Sequence, residues 1–137
     1  MLIGKCSCGT VQFSVEDQFL YAGYCHCPQC RRSSGSAFSA FAGIQKEKLQ
    51  VTNGAGSISI FAKNEDDLVS FCTACSSILF SVIRNGGFVH VPLGTLVDNP
   101  SIRPTFHIFV GSKAPWYEIT DALPQFAEHA PLDPPTT

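Results

Sequence analysis

The cysteines of this chain are confined to three short segments, and that grouping limits the folds open to it. Seven cysteines occur among 137 residues, in the order Cys6, Cys8, Cys25, Cys27, Cys30, Cys72 and Cys75. Thiolates two or three residues apart can converge on one metal ion, and tetrahedral zinc with Zn–S distances of ~2.3 Å suits such spacing. The chain is therefore predicted to fold around metal centres.

A disulfide framework is the alternative use of so many cysteines. The odd number of cysteines, C-x-C pairs whose sulfurs would close strained rings, and an N-terminus without a signal-peptide pattern argue against it. The sequence also lacks an apolar run near the ~20 residues of a membrane-spanning helix. We therefore expect a cytoplasmic zinc protein with no membrane partner.

The sequence predicts an all-β fold in one domain, residues 1–130, followed by a disordered tail, residues 131–137. A hydrophobic content of 45% suffices for a globular core. Short alternating or apolar runs between turn residues predict antiparallel strands of a sandwich or open barrel. These strands cover residues 11–15, 19–24, 37–44, 49–52, 57–63, 68–72, 78–83, 88–91 and 106–110. Residues 33–36 read as a turn-rich connector, and residues 121–130 as one short helix with Asp121 as N-cap.

The first and last cysteine pairs together supply four ligands, enough to close a tetrahedral shell. Such a site is structural, and it would staple an early strand to a late one. The alternative is four unrelated buried thiols, which the paired spacing disfavours. The predicted ligands of this structural centre are Cys6, Cys8, Cys72 and Cys75.

The middle cluster supplies three ligands, Cys25, Cys27 and Cys30. Three protein ligands leave a fourth position open for water or substrate. The alternative is a second structural site, completed by a distant residue such as His90, His107 or Asp98. Alternation along an extended segment places the side chain of His26 opposite the sulfurs, which favours a supporting or surface role over ligation.

An open zinc held by three thiolates would be thiophilic and would lower the pKa of an incoming thiol. Arg31 and Arg32 follow the cluster directly, and their fork-shaped donors suit a carboxylate-bearing thiol such as glutathione. The alternative is that both arginines are solvated loop residues. The formal net charge of −2 argues against a general nucleic-acid partner, which would need a basic face.

Five segments give the chain a resemblance to a known family. They are KCSCGTVQF, YCHCPQCRRSSGSAF, FCTACSSILF, GTLVDNPSIRPTFHIFV and APWYEITDALPQF, which together span about residues 4–127. In order and spacing they are similar to the glutathione-dependent formaldehyde-activating enzymes, a family that includes centromere protein V. The resemblance implies a twisted all-β "tent" of sheets, a structural zinc on the four-cysteine set and a catalytic zinc on Cys25, Cys27 and Cys30.

The chain departs from the family pattern at three places. Ser76 stands where a glycine usually follows the last cysteine, and Val97-Asp98 replaces paired aspartates. Residues 64–68 lack the usual Gly-rich loop before the last cysteine pair.

The resemblance implies a carbon–sulfur lyase or synthase that condenses glutathione with formaldehyde to S-hydroxymethylglutathione. Two zinc ions per chain and a glutathione–aldehyde substrate pair follow from it. A second hypothesis is a non-catalytic, zinc-stabilised β module that binds a small thiol or a protein. A third is redox sensing, through zinc release and oxidation of the freed thiols.

Overall fold

A computed structural model describes residues 1–131 of the chain. In those residues the chain forms ten strands and one α-helix, which confirms the all-β prediction. The strands are β1 Leu2–Lys5, β2 Gln12–Val15, β3 Tyr21–Cys25, β4 Ser39–Gln45, β5 Leu49–Asn53, β6 Ile58–Asn64, β7 Asp67–Cys72, β8 Ile78–Ile83, β9 Phe88–Pro92 and β10 His107–Ile108. The helix, α1, is Pro28–Ser34, and short 3-10 turns cover Lys46–Lys48, Ala55–Ser57, Arg84–Gly86, Leu93–Thr95 and Val110–Ser112.

The described strands form two sheets, one of three strands in the order β1-β2-β5 and one of seven in the order β10-β3-β4-β9-β8-β7-β6. Strand pairing is antiparallel throughout residues 1–131, apart from the parallel pair β10 and β3. Short loops explain this arrangement, because antiparallel neighbours need only a tight turn between them. None of the helices in the described range is long and apolar enough to cross a membrane.

The hydrophobic core lies between the two sheets. Phe13 of β2 and Phe80 of β8 meet edge to face, with ring centroids 5.6 Å apart. Around them are buried aliphatic side chains from both sheets, including Val11, Val15, Ile44, Leu79, Val89 and Val91. The sulfurs of Cys6 and Cys72 belong to the same buried cluster, so the four-cysteine set borders the core.

The opposite face of the seven-stranded sheet carries a row of polar and aromatic residues. Residues that pair directly across antiparallel strands project from the same face. The register therefore aligns Tyr21, Gly43, His90, Ser81, Val69 and Phe61 across the sheet. This row leads from the strand that ends in Cys25 toward the edge strand β6.

Three sequence expectations about secondary structure were wrong, and one strand was missed. Residues 33–36 were expected to form a turn-rich connector, but helix α1 covers Pro28–Ser34 and ends at a left-handed Gly35. Residues 121–130 form no helix; instead His107 of β10 and Gln125 form a parallel bridge, in which the amide of His107 donates to the carbonyl of Pro124 and the amide of Phe126 donates to the carbonyl of His107. Pairing with that strand edge satisfies the backbone groups that a helix would have used. Strand β10 is only two residues long, and strand β1 was not predicted.

The predicted boundary of the domain at residue 130 is not tested by these features and stays a prediction. The predicted tail, residues 131–137, lies outside the described residues except for its first position.

Candidate metal centres and adjoining cleft

The four cysteines of the first and last pairs converge in space although they are separated by more than sixty residues. Cys6 and Cys8 lie between β1 and β2, whereas Cys72 ends β7 and Cys75 follows it. Their sulfurs all lie within 4.8 Å of one another. The sulfur of Cys8 is 3.7 Å from that of Cys6 and 3.9 Å from that of Cys72. Ligands at ~2.3 Å from a tetrahedral ion are separated by about 3.8 Å, so the set fits one zinc-sized ion.

Backbone N–H groups point at these sulfurs. The amide of Val11 donates to Cys6 Sγ at 3.3 Å, and the amide of Ala74 donates to Cys72 Sγ at 3.3 Å. The Ser77 hydroxyl and backbone N–H hold the pKa of Cys75 down, to about 5. These donors favour thiolates, and because closely spaced thiolates repel one another, the set is suited to hold a cation.

Two turns of similar form present the sulfurs. In the first turn the amide of Gly9 donates to the carbonyl of Cys6 at 3.2 Å, and in the second the amide of Ser76 donates to the carbonyl of Cys72 at 2.8 Å. Both turns place the residue after the last cysteine in the left-handed region, with φ of 79° at Gly9 and 64° at Ser76. Ser76 therefore occupies a conformation that favours glycine, at a position where the family usually has one.

The second cluster contains the three sulfurs of Cys25, Cys27 and Cys30, again within 4.8 Å of one another. Cys25 ends β3, Cys27 is the N-cap of α1, and Cys30 lies in the first turn of that helix. The Cys27 sulfur accepts the backbone N–H of Cys30 at 3.2 Å, in the manner of a helix N-cap. Among residues 1–131, His, Asp and Glu side chains contribute no fourth ligand to this cluster.

The three sulfurs share hydrogen bonds that separate their pKa values. Hydrogen bonds from Cys25 and Cys30 hold the pKa of Cys27 far below its usual value, and the positive charge of Lys63 adds to that effect. Hydrogen bonds with Cys25 and then with Cys27, together with burial, raise the pKa of Cys30. Without a metal, the thiolate therefore forms preferentially at Cys27, whose sulfur caps the N-terminus of helix α1.

His26 lies between two of these cysteines but is buried and outside the sulfur cluster. Its Nε2 is 2.8 Å from Nδ1 of His107, and Nε2 of His107 is 2.9 Å from a carboxylate oxygen of Asp121. The rings of Phe38 and Tyr117 pack against it. These contacts hold the ring of His26 inside the protein, so the alternative of a surface position for His26 is wrong.

The other candidate fourth ligands have partners elsewhere. His90 Nε2 is 2.6 Å from the hydroxyl of Tyr21. A carboxylate oxygen of Asp98 accepts the backbone N–H of Ile3 at 2.7 Å. Neither belongs to a metal-ligand cluster within the described part of the chain.

A cleft of about 590 Å³ lies between helix α1 and the strands β6, β7 and β8; Gln29, the neighbour of Cys30 in the helix, lines it, although none of the three cysteines does. Its apolar wall comes from β6, β7 and β8, its opposite wall from α1, and Lys63 and Ser76 complete the lining. The apolar residues are Phe61, Val69, Phe71 and Ile78, and those of the helix are Gln29, Arg32 and Ser33. Lys63 belongs both to this cleft and to the electrostatic surroundings of Cys27, which connects the two features.

The two arginines predicted from the sequence are placed differently. Arg32 is exposed and lines the cleft. Arg31 is not among the lining residues, and its Nε is buried with no hydrogen-bond partner in residues 1–131. Lys63 was missed in the sequence, where it is one lysine in a strand; only the pairing of β6 with β7 brings it to the cleft.

Together the fold and the sites define an all-β protein with one four-cysteine and one three-cysteine centre, each able to hold a metal ion. The chain belongs to the glutathione-dependent formaldehyde-activating enzyme family, whose model matches residues 1–112. This confirms the resemblance seen in the cysteine segments.

Two individual proteins are similar to the chain. A Halomonas elongata protein that carries the provisional name glutathione-dependent formaldehyde-activating enzyme is 29% identical over 127 residues, which cover 87% of this chain and 81% of that protein. A Rhodobacter sphaeroides protein of known crystal structure is 27% identical, with a TM-score of 0.58 over 72% of this chain and 91% of the other.

Proposed function

We propose that the protein is a zinc-dependent carbon–sulfur lyase that condenses glutathione reversibly with an aldehyde at the three-cysteine centre. Membership of the family supports glutathione and formaldehyde as the first substrates to consider. The observation that carries the proposal is the three-sulfur cluster, which has no fourth His, Asp or Glu ligand in the described residues and lies at the start of the helix that forms one wall of a cleft containing Arg32 and Lys63. Two zinc ions per chain are part of the proposal, with the four-cysteine ion structural.

Zinc bound by three thiolates would supply a soft, thiophilic Lewis acid that favours the ionised form of a thiol. Side chains of the protein would bind the substrate. Three thiolates around Zn²⁺ leave a net charge of −1, so an anionic thiol needs nearby positive charge. Arg32 lines the cleft and would attract the carboxylates of glutathione, and Lys63, which also pairs with Asp67 at 3.5 Å, would add positive charge. We keep Arg31 of the same helix as a proposed contact: it does not line the cleft, but its Nε is buried without a hydrogen-bond partner in the described residues.

In the forward reaction the thiol sulfur forms a bond to the carbonyl carbon, and the carbonyl oxygen takes up a proton. The reverse reaction breaks that C–S bond and returns the thiol and the aldehyde. Holding both partners in one cleft would provide most of the acceleration, since proximity and orientation replace a bimolecular encounter. Reduced thiols persist in the cytoplasm, which is the compartment we propose.

The test is the absorption spectrum of the cobalt-substituted protein, titrated with glutathione and with an analogue that has methyl in place of the sulfhydryl. We expect the ligand-field and sulfur charge-transfer bands to change with glutathione alone. Cobalt in the four-cysteine centre serves as an internal control, because a closed shell has no position for the added thiol. An unchanged spectrum at millimolar glutathione would refute the proposal and favour a non-catalytic β module.

Substitutions of individual arginines test which of them contribute to glutathione binding. Arg32→Gln should weaken glutathione binding by about tenfold, the usual size of one charge-assisted contact. Arg103→Gln is the matched control, since Arg103 is also exposed but lies outside the cleft lining. Arg31→Gln shows whether the buried guanidinium takes part. Equal affinities in Arg32→Gln and Arg103→Gln would exclude a role for Arg32.

A further inference from the structure

The apolar wall of the cleft has no counterpart in the substrates that the family name implies. Four apolar side chains, Phe61, Val69, Phe71 and Ile78, form that wall. Glutathione offers carboxylates, amides and an ammonium group but no apolar side chain, and formaldehyde contributes a single carbon. The arginine and lysine of the cleft match glutathione, whereas the wall matches neither reactant.

The size and position of the cleft also indicate that it binds a ligand with an apolar group. Its volume of about 590 Å³ lies within the ~300–1,000 Å³ typical of sites for small organic ligands. Phe61 pairs directly with Val69, so their side chains extend from one face of the sheet toward helix α1. Phe61 nevertheless remains 59% exposed in the protein alone. A ligand with an apolar group would cover this surface, as such sites usually do.

We propose that the carbonyl partner of this protein is an aldehyde with an apolar chain or ring, which lies against the wall formed by Phe61, Val69, Phe71 and Ile78 beside the three-cysteine centre. The inference rests on the proposed function, because it takes the thiol to be glutathione. The chemistry is unchanged: the thiol sulfur bonds to the carbonyl carbon, the carbonyl oxygen takes the proton, and neither partner is oxidised.

The first experiment measures the binding of S-methyl-, S-butyl- and S-hexylglutathione to the zinc-loaded protein by calorimetry. These thioethers mimic adducts with carbonyl partners of increasing length. We expect the affinity to rise about two- to fourfold for each methylene that enters the cleft, the range for partial to full burial of a CH₂ group. A flat series would overturn the inference.

Two neighbouring substitutions locate the effect. Phe61→Ser removes part of the wall, and Ile60→Ser is its matched control, since Ile60 is 61% exposed on the same strand but projects from the other face. Both positions are exposed, so both variants should fold. We expect Phe61→Ser to reduce the gain from S-methyl to S-hexyl by at least fivefold and Ile60→Ser to leave it unchanged. Equal effects of the two substitutions would overturn the inference.

The failure of this inference is distinguishable from that of the proposed function. If glutathione changes the cobalt spectrum but the thioether series is flat, the thiol site stands and the apolar aldehyde is refuted. If glutathione leaves the spectrum unchanged, the proposed function itself is refuted. A matching activity test compares enzyme-dependent condensation of glutathione with hexanal and with formaldehyde, where Phe61→Ser should lower the ratio of the hexanal rate to the formaldehyde rate and Ile60→Ser should leave that ratio unchanged.

Discussion

Replacing Ser76 by glycine should stabilise the protein, because its backbone is held in the left-handed region. Its φ is 64°, its side chain is exposed, and its amide is fixed to the carbonyl of Cys72 at 2.8 Å. An L-residue in this conformation costs about 1–2 kcal/mol, which glycine avoids. Glycine also gives the unfolded chain more freedom, at a cost of about 0.4–1 kcal/mol. The difference predicts a net stabilisation of ~0.5–1 kcal/mol for Ser76→Gly.

Gly9 occupies the corresponding left-handed position in the other turn, where the opposite change, from glycine to alanine, can be made. Its φ is 79°, and a Cβ built there would meet nothing within 4 Å, so the cost of Gly9→Ala is conformational alone. Gly9→Ala should therefore destabilise the protein by a similar ~0.5–1 kcal/mol. Urea unfolding of the zinc-loaded variants measures both, with opposite shifts of the midpoint at an unchanged slope. A lower midpoint for Ser76→Gly would refute the reasoning, since it would mean that the serine side chain stabilises the turn by more than its backbone costs.

Two further predictions concern the metal staple and acid stability. Chelation of the four-cysteine metal, or Cys72→Ser, should abolish most of the far-UV circular dichroism signal of the β-structure. Structural zinc supplies ~10–16 kcal/mol, as much as the ~5–15 kcal/mol by which a whole domain is stable. Cys30→Ser in the other centre is the control, and an unchanged spectrum after chelation would contradict the prediction. Burial, and then the charges of Arg84 and Lys63, lower the pKa of His90 to about 4, so the unfolded chain binds a proton first as the pH falls. The unfolding free energy should therefore lose up to ~3 kcal/mol through His90 between about pH 6.5 and pH 4. Urea titrations should show a smaller loss in His90→Gln than in the parent protein, and identical losses would rule out a contribution from His90.

The sequence allowed the metal clusters and most strands to be predicted because both depend on local patterns. A C-x-x-C spacing places two sulfurs together whatever the rest of the chain does. Alternation between residues 11 and 15 likewise predicted strand β2, which the structure confirms. Helix α1 also had a local signal that went unused: Pro28 at its first position and Gly35 just past its end are typical helix boundaries.

Other features depend on contacts between distant segments and could not be read from local patterns. Asp121 resembles a helix N-cap, yet its carboxylate binds His107, and the residues after it pair with strand β10. The contact between His26 and His107 joins positions 81 residues apart. The cleft likewise requires the register of β6, β7 and β8, including a bulge near Phe71, which strand propensity does not specify.

The two metal centres are linked through the cleft. Cys72 ends the strand that carries Val69 and Phe71, and Ser76 and Ile78 follow Cys75 into the lining. One side of the cleft is thus built on the second turn of the four-cysteine centre, and the other side on the helix that begins after Cys27. We infer that a metal bound at the four-cysteine centre would fix this side of the cleft. Under the proposed function, that metal would support substrate binding by holding the apolar wall in place, without contact to the reacting atoms.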